Sequence, residues 1–361
     1  FGPFSGTAEL CVSGTAPHSA PEAEGPVHKR RHTQSGLGSW SMRATRFRLD
    51  RWQEDLQSVL AGRTLQQVAM PGSHNSGTDS LSLQMSLDAP AVYSMIPSFI
   101  RRWSCCQADD VAHQLQAGVR YVDLRTARCA VDDDTLRVVH ACAGSPVDEV
   151  LSAVAAFVQS TTHEIVIVDF QHFYHLTPED HGGLVQRVEA LFAGCGIIPP
   201  SRARATLREH WAAKQRVLVL YGSKEHAPTR PELLLERPAG IISPWAGDGH
   251  TKNRAARLAF KDKLEAYMQD AAIGRGGRLF ALQCVSGPDT RMIVLSLLSG
   301  GRLSNLQVHA LQLNSELGGW IAEWMPRFED ATFALNIVLL DFCTSCTELM
   351  ELIVGLNVRR T

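Results

Sequence analysis

The sequence predicts an α/β protein, a single-domain (β/α)8 TIM-type barrel behind a disordered N-terminal tail. Three observations point there. From about residue 49 onward, short and nearly continuous apolar runs recur, as strands buried on both faces require. Helical spacings separate most of these runs, the alternation of a parallel sheet covered by helices. Polar residues gather where the runs end, and that end is the chemical face of an α/β barrel. A doubly wound open sheet is the alternative architecture. No Gly-x-Gly-x-x-Gly follows a strand, which weakens its dinucleotide-binding form.

Residues 1–48 are rich in Gly, Ser, Pro, Ala and His and lack a period of 2 or 3.6, so disorder is expected there. Their cluster Lys29-Arg30-Arg31 reads as a solvated charge run, or else as a nuclear or lipid-binding signal. The barrel domain, 49–361, opens with helical spacing at Trp52, Leu56 and Leu60. Eight runs then read as strands: Leu65–Met70, Arg120–Leu124, Arg137–Val139, Glu164–Val168, Arg216–Leu220, Gly240–Ile242, Leu279–Val285 and Leu335–Leu340. Helical patterns cover Asp109–Gln116, Val147–Gln159, Pro178–Ala193, Thr251–Met268 and Ser315–Met325. Ser145 and Thr177 each precede a Pro and then acidic residues, the order of a helix cap followed by its first turn. Asp132-Asp133-Asp134 reads as a turn, because strands two and three are too close for a helix between them.

The 361 residues carry 35 Lys and Arg against 37 Asp and Glu, a formal net charge of −2. That balance gives no basic bias toward nucleic acid and no long-range pull toward anionic membranes. Nine cysteines occur without a Cys/His metal spacing, with Cys105–Cys106 and Cys343–Cys346 as close pairs. They read as reduced, buried thiols of an intracellular protein. The expected location is cytoplasmic, or peripheral at membranes. No run approaches the ~20 apolar residues of a transmembrane helix, and no signal peptide is recognisable.

The polar tips are specific. Strand one ends in Pro71-Gly72-Ser73-His74-Asn75, strand two in Asp123-Leu124-Arg125, strand three in His140 and strand four in Asp169-Phe170-Gln171-His172. Strand five ends in Tyr221, six in Trp245, seven near Gln283 and eight in Asp341. Each has an ordinary explanation alone. An Asp after a strand often caps a helix, and Arg125 could pair structurally with Asp123. Tyr221 reads equally as an amphipathic residue at a barrel mouth. Together they describe one bowl lined by acid, base and cation.

These residues carry a family resemblance. The segment Ala69-Met70-Pro71-Gly72-Ser73-His74-Asn75 resembles the start of the phosphatidylinositol-specific phospholipase C X domain. Gly118-Val119-Arg120-Tyr121-Val122-Asp123-Leu124-Arg125 is similar to its "GxRYxDLR" strand, and Val138-Val139-His140-Ala141 to the segment holding its second histidine. Further matches are Glu164–Tyr174, Ser243-Pro244-Trp245-Ala246 and Asn336–Phe342. The likeness covers about residues 49–357 and points to the small eukaryotic proteins that are little more than an X domain.

The resemblance implies a phosphoric diester hydrolase that cleaves phosphatidylinositol at a membrane surface. The inositol 2-hydroxyl attacks phosphorus, diacylglycerol leaves, and a cyclic inositol phosphate forms. It implies His74 as base, His140 as acid, Asp341 as the partner of the base, and Arg125 with Asp123 near the phosphoryl group. Histidine suits both proton roles because its pKa lies near neutrality. Asn75, Asp169, Gln171, His172, Tyr221 and Trp245 are the implied substrate-binding positions. Calcium-dependent members carry a carboxylate where Arg125 stands, so metal-independent cleavage without a cofactor is expected. Asn75 with Asp123 leaves calcium as the alternative. Competing readings are a barrel phosphodiesterase for another phosphodiester lipid and a catalytically silent lipid or inositol-phosphate binding module. The stretch Met292–Leu298 and the barrel rim are candidates for interfacial contact, with a buried helix as the ordinary reading of that stretch.

Overall fold

A computed structural model describes residues 47–359 except 88, 130–134, 275 and 301–303. Of the tail expected over residues 1–48, residues 1–46, with Lys29–Arg31, lie outside the described residues, as does the turn expected at Asp132–Asp134.

Ten strands are present among the described residues: β1 Met70–Ser73, β2 Tyr121–Arg128, β3 Leu136–His140, β4 Cys142–Pro146, β5 Val166–Tyr174, β6 Val217–Tyr221, β7 Leu234–Glu236, β8 Ile241–Ile242, β9 Leu279–Cys284 and β10 Ile337–Leu340. Eight pair in parallel in the order β7-β6-β5-β2-β1-β10-β9-β8. The last strand lies against the first, so the sheet curls into a barrel. Its seam falls between β7 and β8, which the short helix Arg237–Gly240 connects.

Period-2 alternation divides the apolar residues between two layers. Tyr121, Ile167, Leu218, Leu220, Ala281, Ile337 and Leu339 share an inner cluster with Met70. Trp52, Leu56, Leu60, Leu65 and Val68 join it and close the N-terminal end of the barrel. Val122, Leu124, Val166, Val168, Val217, Val219 and Val338 form the outer layer. The helices that pack on it include Val147–Gln159, Pro178–Phe192, Arg254–Gly274 and Leu306–Glu329.

The barrel was legible in the sequence, but three of its details differ. The run Arg137–Val139 is not a barrel strand. Its residues pair antiparallel with Thr126–Arg128, where β2 continues past the rim. A parallel neighbour would need a crossover of a dozen or more residues, and the connection is too short. The eighth barrel position belongs instead to β7, whose three residues are too few to read as a run. The first strand also begins later than expected. Leu65–Gln67 is a 3-10 turn closed by a Thr64/Gln67 capping box, and Asn336 Nδ2 holds the carbonyls of Leu65 (2.8 Å) and Val68 (2.6 Å).

Of the two caps, Thr177 accepts from Asp180 N as expected. Ser145 does not cap, because the extended run reaches Pro146 and Ser145 Oγ lies 3.1 Å from Ser80 Oγ instead. Met292–Leu298 is helical, within Thr290–Leu298, yet it is not a buried helix: only Ser296 is buried.

Candidate active site

His74 follows β1 and Asp341 follows β10. These strands are neighbours with Ser73 opposite Leu340, so residues far apart in the chain emerge side by side. His74 Nδ1 lies 2.7 Å from Asp341 Oδ1, both side chains being buried. The other carboxylate oxygen accepts from Ser286 N at 2.9 Å. Gln107 Nε2 donates to the carbonyls of His74 (2.8 Å) and Leu340 (2.9 Å), tying the two strand ends together. The network assigns the tautomer: Nδ1–H donates to the carboxylate, and the Nε2 lone pair accepts from Asn75 Nδ2 at 3.1 Å. His74 therefore presents a free-base nitrogen with a carboxylate behind it.

His140 ends β3, on the hairpin that rises past the rim. Its ring centroid is 6.4 Å from that of His74, at 70°. Nδ1–H donates to the Ser104 carbonyl at 2.7 Å, which orients the ring. Desolvation first, then the Arg125 guanidinium, holds its pKa well below the ordinary imidazole value.

A backbone feature unites the three positions. Asn75 (φ 46°), Ala141 (φ 59°) and Phe342 (φ 49°) each follow one of the key side chains and each are left-handed. Non-glycine residues rarely adopt this conformation, and such strain clusters where side chains must be aimed.

Asp123 and Arg125 occupy successive inward positions of β2. They do not form the ion pair the sequence allowed. Asp123 Oδ2 accepts from Asn75 N at 3.2 Å, and its Oδ1 has no partner. Arg125 Nε is also buried without a partner. Asn75 Oδ1 is a third such atom. Two acceptors and one cationic donor thus stand unused in one bowl.

Strand β5 contributes by an irregularity. Leu124 lies opposite Phe170 but Arg125 lies opposite His172, so Gln171 is the extra residue of a bulge. The shift returns His172 to the side of Arg125; desolvation first, then this guanidinium, lowers the pKa of the ring. Asp169 is fully buried, accepts the Tyr121 hydroxyl, and pairs with Arg237 Nε at 2.9 Å. Burial pushes its pKa up to about 6, against the pull of Arg237.

Tyr221 is a correction. It is fully buried in the outer layer with Val217 and Val219, because period 2 along β6 sends it away from the bowl. Its hydroxyl meets His181 Nδ1 at 2.7 Å, so it is not placed to stack on a ligand. Trp245 is an exposed indole in the connection after β8.

Two residues at the site were missed in the sequence. Cys106 Sγ lies 3.4 Å from Asn75 Nδ2 and 3.5 Å from His140 Nδ1. The Cys105-Cys106 pair was visible, but no motif assigned it a place. Arg237 follows a three-residue strand and carried no signal.

Calcium does not fit the positions considered for it. Ca²⁺ takes 6–8 oxygen ligands. Asn75 and Asp123 offer two free oxygens, Asp169 is engaged by Arg237, and the next inward residue of β2 is the cation Arg125.

A parallel eight-stranded barrel with a His–Asp pair, a second histidine and an arginine at its C-terminal mouth defines the class: α/β-barrel proteins equipped for acid–base work on an anionic group. The family model described as "Phosphatidylinositol-specific phospholipase C, X domain" matches residues 99–222. PI-PLC X domain-containing protein 2 of Mus musculus is 28% identical over 322 residues, covering 84% of this chain and 88% of the relative. The variant-surface-glycoprotein phospholipase C of Trypanosoma brucei brucei is 26% identical, covering 81% and 88%. The phosphatidylinositol-specific phospholipase C from Listeria monocytogenes superposes with a TM-score of 0.60 at 13% identity, covering 86% of this chain and 99% of that one, which shows the shared fold. The chain therefore resembles the phosphatidylinositol-specific phospholipase C X-domain family, through the model match at residues 99–222 and through relatives aligned over most of its length.

Proposed function

We propose that the protein is a metal-independent phosphodiesterase that cleaves phosphatidylinositol to diacylglycerol and a cyclic inositol phosphate. The observation that carries this reading is the facing pair His74 and His140, 6.4 Å apart between ring centres, with Asp341 behind the first. A phosphodiester set between the rings meets a base on one side and an acid on the other.

His74 Nε2 takes the proton of the attacking inositol hydroxyl as that oxygen bonds to phosphorus. Asp341 stabilises the imidazolium that results, as a carboxylate does in a serine-protease triad. His140 Nε2–H gives its proton to the glycerol oxygen as the phosphorus–oxygen bond breaks. Desolvation and the Arg125 guanidinium favour the neutral His140 ring; an arriving phosphodiester anion favours the protonated ring and readies the acid. Arg125 faces the charge that grows on the phosphoryl oxygens. Asn75 Oδ1 and Asp123 Oδ1, free acceptors, receive hydroxyl protons of the ring.

The substrate class also accounts for the rim. Leu83, Leu87, Val92 and Met95 project from the connection after β1, and Val294, Leu295 and Leu298 from the helix after β9. Both connections leave the barrel at the end that carries His74, so a membrane bearing the lipid meets apolar side chains around the mouth. Among the described residues no helix is long and apolar enough to cross a membrane, and contact with the bilayer is peripheral in this reading.

The test is release of diacylglycerol and cyclic inositol phosphate from phosphatidylinositol vesicles in excess EDTA. Wild-type protein should release both, and His74→Ala should lose about 10²–10⁴-fold in rate. Activity that appears only with added calcium would overturn the role given to Arg125. No turnover in either condition would overturn the enzyme reading.

A further inference from the structure

Two cysteines follow Asp341 closely in the chain and take no part in the proposed hydrolysis. Cys343 and Cys346 lie three residues apart, in the turn that joins β10 to the helix Thr347–Arg359. Both are thiols in the structure. Cys346 N donates to the Cys343 carbonyl at 3.3 Å, which closes the turn. The first and fourth Cα atoms of such a turn lie within about 7 Å, and a disulfide spans about 4.4–6.8 Å. Each sulfur also touches an amide that holds the strand end. Cys343 Sγ–H donates to Gln107 Oε1 at 3.3 Å, and Gln107 Nε2 donates to the carbonyls of His74 and Leu340. Cys346 Sγ hydrogen-bonds the side chain of Asn314, whose Nδ2 donates to the Asp341 carbonyl at 2.9 Å. The peptide groups before and after Asp341 are thus held by amides that the two sulfurs contact.

We propose that Cys343 and Cys346 form a reversible disulfide that turns the site off, with a low-molecular-weight disulfide as the oxidant. Cys346 is the half-buried member and the one a small disulfide reaches; Cys343 is fully buried. The Cys346 thiolate attacks one sulfur of the oxidant and releases the first small thiol. Cys343 then loses its proton, attacks the Cys346 sulfur and releases the second. The two cysteines lose two electrons in all, the oxidant gains them, and the cysteine protons end on the released thiols. Burial raises both protein thiols, that of Cys343 to about 12, so thiolate is scarce at neutral pH and the exchange is slow. Closing the bond draws Cys343 Sγ off Gln107 and Cys346 Sγ off Asn314. Both amides lose a partner, and the backbone that presents Asp341 to His74 shifts with them. The loss of turnover rests on the phosphodiesterase reading, whereas the thiol exchange does not.

The experiment separates the two. Reduced full-length protein is incubated with oxidised glutathione, and its peptides are mapped by mass spectrometry before and after dithiothreitol. The segment carrying both cysteines should lose two hydrogens, and dithiothreitol should restore them. Cys343→Ser should stop at a mixed disulfide on Cys346, and Cys346→Ser should leave Cys343 unmodified. Cys346→Ala replaces the serine variant should that one fail to fold. Turnover of phosphatidylinositol vesicles is compared with that of each protein's own reduced form. It should fall about tenfold or more in the oxidised wild type, since a misplacement of about 1 Å costs up to about 10²-fold, and hold steady in Cys346→Ser. No intramolecular disulfide in the wild type, or inactivation that persists in Cys346→Ser, overturns the proposal. A disulfide that forms with turnover unchanged overturns the control of the site. The low-field NMR signal of the His74 Nδ1 proton, bonded to Asp341, reads the same coupling without turnover and should shift as the disulfide closes. If neither redox state cleaves phosphatidylinositol, the enzyme reading fails; a shifted signal then still supports the coupling, and an unshifted one removes it.

Discussion

At the scale of single residues, the site is a matter of aim. Asp341 fixes which nitrogen of His74 carries the proton, through a 2.7 Å hydrogen bond. Asp341→Asn keeps the shape but offers an amide that can donate to Nδ1. It would place the remaining proton on Nε2, where the base is needed. Turnover of phosphatidylinositol should fall about 10²–10⁴-fold with vesicle binding retained; an effect on binding alone would mean that Asp341 is structural. Ala141 shows the cost of aiming His140. A left-handed L-residue is strained by roughly 1–2 kcal/mol, which glycine avoids at some entropic cost. Ala141→Gly should therefore raise the urea midpoint, by about 0.5–1 kcal/mol in stability. A fall would mean that the half-buried methyl, packed beside Leu81 and Cys142, matters more than the backbone. Both side chains were legible in the sequence, since the motifs name His74 and Asp341 directly. The left-handed turns were not, because no glycine stands at any of the three positions to signal them.

At the scale of elements, β6 and the helix Pro178–Phe192 meet through histidine. His181 is 6% exposed, its Nδ1 is 2.7 Å from the Tyr221 hydroxyl, and its ring stacks on His226 at 4.0 Å. Phe173 closes the edge at 4.7 Å. Burial, then the second imidazole, lowers its pKa from 6.5 to about 4. The unfolded chain binds this proton more tightly than the folded one, so stability is full above pH 6.5 and is lost as pH falls toward 4. The loss is at most about 3 kcal/mol, at 1.36 kcal/mol per unit. His181→Phe should flatten the decline in denaturation midpoint between pH 6.5 and 4, whatever its effect at neutral pH. An unchanged slope would assign the acid sensitivity to other groups. The sequence placed Tyr221 correctly at a strand end but on the wrong face. Strand ends in the sequence carry a position along the barrel axis, whereas the face depends on register, which pairing with β5 and β7 sets. The bulge at Gln171 shows the same limit, since one extra residue decides that His172 and not Gln171 stands beside Arg125.

At the scale of the whole molecule, the candidate site and the exposed apolar side chains of two connections lie at the same end of the barrel. Met95 is 79% and Leu298 78% exposed, although they belong to connections after strands at different places in the sheet. Full burial of such a side chain stabilises by about 1.5–3 kcal/mol. The double variant Met95→Ser, Leu298→Ser should lower affinity for phosphatidylinositol vesicles by about tenfold or more, as read by co-sedimentation. It should cost less against a short-chain monomeric substrate. Equal losses on both substrates would place these residues in the fold and not at the bilayer.

What the sequence determined alone was everything carried by local pattern. Apolar runs with period 2, helical spacings between them and polar tips made an α/β barrel, and short motifs singled out His74, His140, Arg125 and Asp341 as candidates. What only the tertiary structure decided was which strand neighbours which and what each side chain meets. It removed β3 from the barrel, supplied β7, turned Tyr221 outward, and left Arg125 unpaired beside Asp123. It also brought Cys106 to the histidine pair and Arg237 to Asp169. The physical reason is one and the same. Propensity and periodicity act over a few residues, whereas register, bulges and close contacts between distant segments are fixed by packing and hydrogen bonding across the sheet. No local pattern records those.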